Sequence, residues 1–156
     1  MYKTNNKRLK ISVITVTKNS EKFLKKNLSS VNSQSYKNYE HIIIDGKSSD
    51  KTLDIIKKNK KKIAYYESQK DKGIYDAMNK GIKKCTGDII GILNSDDYYY
   101  KDTLKIVNKY FNENKKIDFL FGSVFKHKLL SGFYPEKIFW TFGFYTSHSV
   151  GFFIRR

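Results

Sequence analysis

Short apolar runs alternate with amphipathic segments along this chain, and this alternation constrains the fold more than any other feature. The runs are rich in Ile and Val, a composition typical of strands that are buried on both faces. The clearest are residues 10–17, 41–44 and 89–93, with a shorter one at 63–67. Strands that alternate with helices in this way predict a parallel sheet with right-handed crossovers. We therefore predict an α/β fold with an open, mostly parallel sheet flanked by helices.

The segments between the runs space their apolar residues like helices with one buried face. The residues expected on these faces are Phe23, Leu24, Leu28 and Val31; Leu53 and Ile56; Ile74, Ala77, Met78, Gly81, Ile82 and Cys85; and Leu104, Val107 and Phe111. Beyond residue 115, residues 117–124, 128–134 and 150–154 resemble strands without an intervening helix. We expect one domain, with a loose lead-in at 1–9, an α/β half at 10–115 and a further part at 116–156.

The charge balance is strongly basic. The 156 residues include 31 Lys and Arg against 15 Asp and Glu, which gives a formal net charge of +16. Such a charge suits nucleic acid, an anionic membrane surface or an anionic substrate. Apart from the cluster at residues 57–62, however, the Lys residues are scattered, as on an ordinary solvated surface. We expect no nucleic-acid partner, whereas a peripheral membrane contact stays compatible with the pattern.

Nothing in the sequence resembles a membrane span or a secretory signal. No apolar stretch approaches the roughly 18 residues that a spanning helix needs. The first ten residues are polar, unlike a signal peptide. The one cysteine, Cys85, leaves no internal disulfide and fits a reducing compartment. We expect a cytoplasmic protein, with attachment at the inner membrane face as an open alternative.

Polar or acidic residues stand at the carboxyl ends of three of the predicted strands, at residues 17–19, at Asp45 and at the pair Asp96 and Asp97. The carboxyl ends of parallel strands meet at one edge of the sheet, which is where open α/β sheets bind ligands. The acidic pair follows an Asn and a Ser, and such an all-oxygen patch suits Mg²⁺ or Mn²⁺ better than zinc or copper. The alternative is a polar turn that only caps the next helix.

Several common kinds of site lack their signatures here. Residues 17–21 read Thr-Lys-Asn-Ser-Glu where a dinucleotide site needs a Gly-rich turn, and no GxxxxGK[ST] phosphate loop occurs. The scarcity of His and Cys disfavours zinc, and the G-x-S-x-G motif of many Ser-His-Asp hydrolases is missing. A metal ion on Asp97 remains as a means of binding a diphosphate.

Four segments, in order, resemble those of the inverting glycosyltransferases of family 2, which have the GT-A fold. Residues 11–19 (ISVITVTKN) resemble the first-strand motif, and residues 43–52 (IIDGKSSDKT) resemble the IDGxSxDxT stretch. Residues 71–82 match the DKGIYDAMNKGI segment, and residues 87–97 resemble the GD…LNxDD segment, which is DXD-like. More weakly, residues 148–156 (HSVGFFIRR) are similar to the family's H-x-x-x-F-F-x-R-R strand.

The resemblance implies roles for individual residues. Contacts to a nucleotide sugar would fall to Thr15, Thr17, Asn19, Asp45, Lys72, Asp76, Asn94 and Asp96. Asp97, with Asp96 beside it, would hold Mg²⁺ or Mn²⁺ against the diphosphate. The cation would stabilise charge on the departing nucleoside diphosphate, while a carboxylate base would deprotonate the acceptor hydroxyl.

Three positions qualify this interpretation. Lys18 stands where the family often has Tyr, which puts base stacking there in question. The family's base is an Asp or Glu after the H-x-x-x-F-F-x-R-R strand, so we expect it beyond Arg156 of a longer protein. His148 would lie on the acceptor side, although an isolated His is as often structural.

The leading hypothesis is a glycosyltransferase that moves a sugar with inversion from a UDP- or GDP-linked donor to a glycan or lipid-linked acceptor, in surface or envelope glycan synthesis. Residues 10–115 would form its donor-binding half, and residues 116–156 the start of the acceptor side. One alternative is a non-catalytic nucleotide-sugar-binding remnant or partner subunit. Another, from a different class, is a basic protein that binds nucleic acid or an anionic membrane.

Overall fold

A computed structural model describes residues 8–122, 124–126, 128–130 and 151–156. The elements in these ranges are β1 (Ile11–Thr17), α1 (Leu24–Asn32), β2 (Tyr39–Asp45), α2 (Thr52–Lys58), β3 (Tyr65–Ser68), α3 (Ile74–Lys84), β4 (Ile89–Ile92), α4 (Thr103–Glu113), β5 (Phe119–Phe121), β6 (Val124–Lys126), β7 (Lys128–Leu130) and β8 (Phe152–Arg155). A short 3-10 turn, Lys60–Lys62, follows α2. In the described part of the chain, no helix combines the length and the apolar character that crossing a membrane requires.

Six of the strands form one sheet in the order β3-β2-β1-β4-β8-β5. The first four are parallel to one another, and β8 runs antiparallel to both of its neighbours. Strands β6 and β7 form a separate antiparallel pair. The expectation of an open, mostly parallel sheet flanked by helices is therefore confirmed.

The helices cover both faces of this sheet, because alternate strand residues point to opposite sides. Val13 of β1 packs in a cluster with residues of α1 and α4, and Ile43 of β2 packs with α1 and α2. On the other face, Ile14 and Val16 pack with Ala77 of α3. Helices α1, α2 and α4 thus share one face, and α3 covers the opposite one.

The strand order reverses between β1 and β4. Helix α1 connects β1 to β2 on one side of β1, whereas α3 connects β3, at the sheet edge, to β4 on the other side. The pairing of Ile14 with Ile92 brings the carboxyl ends of both strands to the same edge. Ligands of open α/β sheets bind at such a switch point.

Three residues that the helical spacing placed in the core are exposed. Phe23 is 53% exposed, Ile74 49% and Ile82 40%. Phe23 precedes the first residue of α1. Helix α3 lies very close to the sheet, since a Cβ added at Gly81 would come within 2.5 Å of Ile14. Within α3 only the small residues at the centre of its stripe, Ala77 and Gly81, are therefore fully buried, whereas Met78 is partly buried and Cys85, just after the helix, is buried.

Candidate functional site

A cavity of about 620 Å³ opens at the carboxyl ends of β1 and β4, and we call it the switch-point cavity. Its walls come from three of the segments that the sequence singled out. They are formed by Val16, Thr17, Lys18, Asn19, Ser20 and Phe23; by Asp71, Gly73, Ile74 and Ala77; and by Asn94, Ser95 and Asp96. Its volume is in the range of small-molecule sites, roughly 300 to 1,000 Å³.

Two buried polar atoms on residues of this wall lack a hydrogen-bond partner among the described residues. They are the hydroxyl oxygen of Thr17 and the amide oxygen of Asn94. Thr17 is only 5% exposed. A buried polar atom without a partner costs about 1 to 3 kcal/mol. A ligand that hydrogen-bonds to these atoms would recover part of that free energy.

Asp45 lies at the end of β2 and is fully buried. Its carboxylate accepts the Ser48 backbone N–H at 3.0 Å and the hydroxyls of Ser48 and Ser68, each at 2.5 Å. It is not among the residues that line the switch-point cavity. Its three bonds organise the loop after β2.

That loop and the loop after β1 hold each other in place, and we call residues 18–20 and 46–50 the loop pair. The Asn19 N–H donates to the Ser48 hydroxyl at 2.8 Å, and the Ser49 N–H donates to the Asn19 amide oxygen at 2.9 Å. Asn19 and Lys47 both have left-handed backbones, with φ of 51° and 59°. Asn tolerates this conformation better than most residues, which explains Asn19 but not Lys47.

The acidic pair stands on a turn between two cavities, and we call residues 94–97 the Asp turn. Asp96 is exposed and lines the switch-point cavity. Asp97 lines a second cavity of about 760 Å³ next to α4, together with Tyr99 and Phe153. The Tyr99 hydroxyl is buried without a partner in the described ranges, and burial, together with the charge of Asp97, raises its pKa.

Behind the Asp turn lie residues that the sequence reasoning missed. Asn27 of α1 is fully buried and donates from its amide nitrogen to the carbonyl oxygens of Asn94, at 2.9 Å, and Asp97, at 3.1 Å. Thr15, predicted to contact the donor, instead places its hydroxyl between Asn27 and His41. The signal was present in the sequence, because an Asn within an apolar helix stripe and a His within an apolar strand are both out of pattern.

The DKGIYDAMNKGI segment lines the cavity, but with other residues than the two that the resemblance assigned to the donor. Asp76 accepts the Lys72 backbone N–H at 3.0 Å and lies 3.2 Å from the Lys80 ammonium nitrogen. That hydrogen bond from Lys72, followed by the one from Lys80, lowers the pKa of Asp76. Asp71, Gly73 and residues of the first turn of α3 line the cavity, whereas Lys72 and Asp76 do not.

The predicted donor contacts therefore divide into two groups. Thr17, Asn19, Asn94 and Asp96 share the wall of the switch-point cavity, whereas Thr15, Asp45, Lys72 and Asp76 lie outside it. His148 lies outside the described residues.

The Asp turn fits a divalent cation that is shared with a ligand. No three His, Cys, Asp or Glu side chains in the described ranges converge to hold a metal ion alone. Mg²⁺ is commonly bound by only one or two carboxylates together with substrate phosphates. Asp96 and Asp97 supply carboxylate oxygens on one turn, which is the chemistry that such a cation prefers, and Asp96 lines the switch-point cavity.

Curated proteins are similar to this chain in sequence. A dolichyl N-acetyl-α-D-glucosaminyl phosphate 3-β-D-2,3-diacetamido-2,3-dideoxy-β-D-glucuronosyltransferase of Methanococcus voltae is 44% identical over 102 residues, which are 61% of this chain and 32% of that protein. An uncharacterized glycosyltransferase of Rickettsia conorii is 38% identical over 132 residues, 83% of this chain and 21% of that one. The chain thus spans about a third or less of the length of these relatives.

Solved structures share the fold. TarS of S. aureus, residues 1–349 in complex with UDP-GlcNAc, matches with a TM-score of 0.64 and 30% identity, over 69% of this chain and 32% of that chain. The mannosyltransferase PcManGT of Pyrobaculum calidifontis, in complex with GDP-Man and Mn²⁺, has a TM-score of 0.64 at 21% identity, over 70% and 34% of the two chains, and shows likeness of fold alone. The expected GT-A fold is confirmed. Because residues 12–153 match the model of glycosyl transferase family 2, the chain belongs to that family.

Proposed function

We propose that this chain contains the donor site of an inverting glycosyltransferase that moves a sugar from a nucleoside diphosphate to an acceptor hydroxyl. The observation that carries the proposal is the switch-point cavity, whose lining residues Thr17 and Asn94 each have a buried oxygen without a partner among the described residues. The ribose hydroxyls and base N–H groups of a nucleotide can donate to such atoms. TarS, whose structure contains UDP-GlcNAc, supports a UDP-linked donor, and a GDP-linked donor is the alternative to test.

The wall also offers an apolar surface for the base. Phe23 lines the cavity while about half of its side chain is exposed. It can provide the aromatic face that Lys18 does not. Ile74, at the start of α3, adds a second exposed apolar side chain to the same wall.

Asp96 and Asp97 would hold Mg²⁺ or Mn²⁺ together with the donor's diphosphate. When bound, the cation stabilises the negative charge that develops on the departing nucleoside diphosphate. The chain's own contribution is to keep the two acidic residues on one anchored turn, beside the atoms of Thr17 and Asn94 that orient the nucleotide.

The Thr17 hydroxyl provides a direct test. Thr17→Val removes a buried polar atom that lacks a partner, so it should leave the ligand-free protein equally stable or more stable, by about 1 kcal/mol. The same change should weaken nucleotide binding about fivefold. Calorimetric titration with UDP, UDP-GlcNAc and GDP-mannose, in Mn²⁺ and in EDTA, measures the affinity, and urea unfolding measures the stability.

Ser12→Ala is the matched control, because Ser12 is a buried hydroxyl of the same strand at its opposite end. It should lower stability, since its bonds to Glu40 and Gly87 are lost, and leave affinity unchanged. If none of the three nucleotides binds the wild-type chain in either buffer, the proposed donor site is wrong.

Transfer is tested separately from binding, because transfer also needs a base that deprotonates the acceptor hydroxyl, whereas binding of the donor does not. Release of free sugar from the donor, or its transfer to a glycan or lipid-linked acceptor, would identify an enzyme. Binding without any turnover would favour the non-catalytic alternative.

We further propose a cytoplasmic location with peripheral contact to the inner membrane face. Lysines occupy the last turns of α2 and α3 and the 3-10 turn after α2, at Lys57 and Lys58, at Lys83 and Lys84, and in Lys60–Lys62. A cluster of this kind is attracted to anionic lipid and is screened by salt. Sedimentation with phosphatidylglycerol vesicles should therefore fall as salt is raised, and a Lys60–Lys62 to Gln variant should bind less. Equal sedimentation with phosphatidylcholine would contradict the contact.

A further inference from the structure

Three buried side chains connect the centre of the sheet to the Asp turn. His41, Thr15 and Asn27 are each at most 1% exposed. The ring nitrogen Nε2 of His41 lies 2.9 Å from the Thr15 hydroxyl, which lies 3.3 Å from the Asn27 amide oxygen. Asn27 in turn reaches the carbonyl oxygens of Asn94 and Asp97. We call these three residues the anchor network.

The direction of every hydrogen bond in the network follows from its far end. The carbonyls of Asn94 and Asp97 can only accept, so Asn27 must present its NH₂ group to them and its oxygen to Thr15. The Thr15 hydroxyl then donates to Asn27 and has only lone pairs left for His41. His41 must therefore carry a proton on Nε2, either as the neutral ring or as the cation. Burial favours the neutral ring.

Folding alone does not account for this arrangement. The strand register sets His41 beside Val13 and Thr15 beside Ile43, which are both buried apolar residues. Apolar side chains at these positions would pack without giving up hydrogen bonds to water. The network is not even complete, because the second ring nitrogen of His41 is buried without a partner in the described part of the chain. Yet at the end of the network, the Asn27 side chain donates to the first and the last residue of the four-residue Asp turn.

We propose that His41, Thr15 and Asn27 are positioning residues, which hold the main chain of the Asp turn so that Asp96 and Asp97 are preorganised for a cation and a diphosphate. The inference rests on the proposed function for its consequence, and on the contacts above for its mechanism. Loss of the residues that orient metal ligands typically costs about 10- to 100-fold in metal affinity. The network thus acts on the donor's diphosphate without touching it.

The test removes one hydroxyl and restores it. Thr15→Val keeps the shape of the side chain and breaks both bonds, whereas Thr15→Ser keeps the hydroxyl. Asn27→Leu removes the clamp itself, and Ser12→Ala, at the other end of β1, controls for the loss of a buried hydroxyl. Amide hydrogen exchange of the ligand-free proteins reports on the turn, with the Asp97 N–H, bonded to the Asn94 carbonyl at 3.0 Å, as the probe.

We expect exchange at Asp97 to become about fivefold faster in Thr15→Val and faster still in Asn27→Leu. Exchange at Ser48, in the loop pair, should not change in either variant, and Thr15→Ser and Ser12→Ala should match the wild type at Asp97. In calorimetry, Thr15→Val should bind UDP about tenfold more weakly than the wild type in Mn²⁺, and less than about twofold more weakly in EDTA.

Two results would overturn the inference. Unchanged exchange at Asp97 in both Thr15→Val and Asn27→Leu would show that the network does not hold the turn. Faster exchange with equal losses of affinity in Mn²⁺ and EDTA would show a merely structural role. A wild-type chain that binds no nucleotide would defeat the proposed function, and the exchange rates would still decide whether the network anchors the turn.

Discussion

The loop pair and the Asp turn form two sides of the switch-point cavity, and the protein holds them in opposite ways. In the loop pair, polar side chains bond to one another and to nearby main chain, as Asn19 does with Ser48 and Ser49. In the Asp turn the main chain is held instead, from below, by the buried amide of Asn27. The acidic side chains of this turn line the two cavities.

This difference indicates what each region contributes. Side chains of the loop pair use their hydrogen-bonding capacity within the fold, so their loss should lower the free energy of unfolding. The exposed carboxylate of Asp96 in the Asp turn lines the switch-point cavity, so its loss should mainly lower affinity for a ligand. The following predictions separate these two consequences.

The largest effect is expected in the Asp turn. Asp96→Asn should reduce the affinity for a nucleotide sugar in Mn²⁺ by about a hundredfold, because a carboxylate that would balance the cation's charge is lost. Affinity in EDTA and the melting temperature should change little. Calorimetry and thermal unfolding measure both. A stability loss as large as the affinity loss would remove the contrast between the two regions.

At the end of β2, where Asp45 holds Ser48 of the loop pair, Asp45→Asn should lower the free energy of unfolding by about 2 to 3 kcal/mol. The new NH₂ group would face donors in place of the carboxylate that accepts bonds from Ser48 and Ser68. Asp54→Asn, on an exposed side chain of α2, is the matched control and should stay within about 0.5 kcal/mol. Urea unfolding provides the measurement, and equal effects of the two changes would contradict the prediction.

Because the anchor network contains a buried His41, the free energy of unfolding should depend on pH. Burial lowers the pKa of His41 from 6.5 to about 3, so the unfolded chain binds a proton below pH 6.5 that the folded protein does not. Stability contributed by neutral His41 is complete above pH 6.5 and is lost as pH falls. The free energy of unfolding should drop by about 2 kcal/mol between pH 7.5 and pH 5 through this group alone.

Glu40 contributes little to the change in stability between pH 7.5 and pH 5. Burial raises its pKa, but hydrogen bonds from Lys10, Ser12 and Thr86 outweigh burial and lower the pKa from 4.5 to about 2. Its contribution is present above pH 4.5 and is lost only as pH falls toward 2. His41→Gln should therefore make the free energy of unfolding, measured in urea, depend less on pH between 7.5 and 5. An unchanged slope would show that His41 does not cause this dependence.

The smallest effect separates the two left-handed residues of the loop pair. Lys47→Gly should raise the free energy of unfolding by about 0.5 to 1 kcal/mol, because Lys47 is exposed and its positive φ of 59° is strained for any residue with a Cβ. Asn19→Gly should instead lower it, since the bond from the Ser49 N–H is lost. Thermal unfolding of both variants checks the signs, and a stabilised Asn19→Gly would show that its side chain contributes nothing.

Much of the donor wall could be predicted from local sequence. The β-branched run of β1 and the apolar run of β4 predicted strands, and parallel order then put Thr17 and Asp96 at one edge. The spacing of apolar residues and the residue types that form turns depend on residues close together in the chain, so they can be recognised in a single sequence. Helix stripes were less reliable, because Ile74 and Ile82 have the right spacing but α3 buries only the centre of its face.

By itself, the sequence determined the alternation of strands and helices, the edge at which the site lies, and the oxygen-rich chemistry of Asp96 and Asp97. Only the tertiary structure decided that Thr15 supports the Asp turn from behind and that Asn27 anchors its main chain. The reason is distance along the chain. The atoms of Asn27 and Asp97 meet only because α1 packs across the sheet beneath the end of β4, and no local pattern encodes that contact.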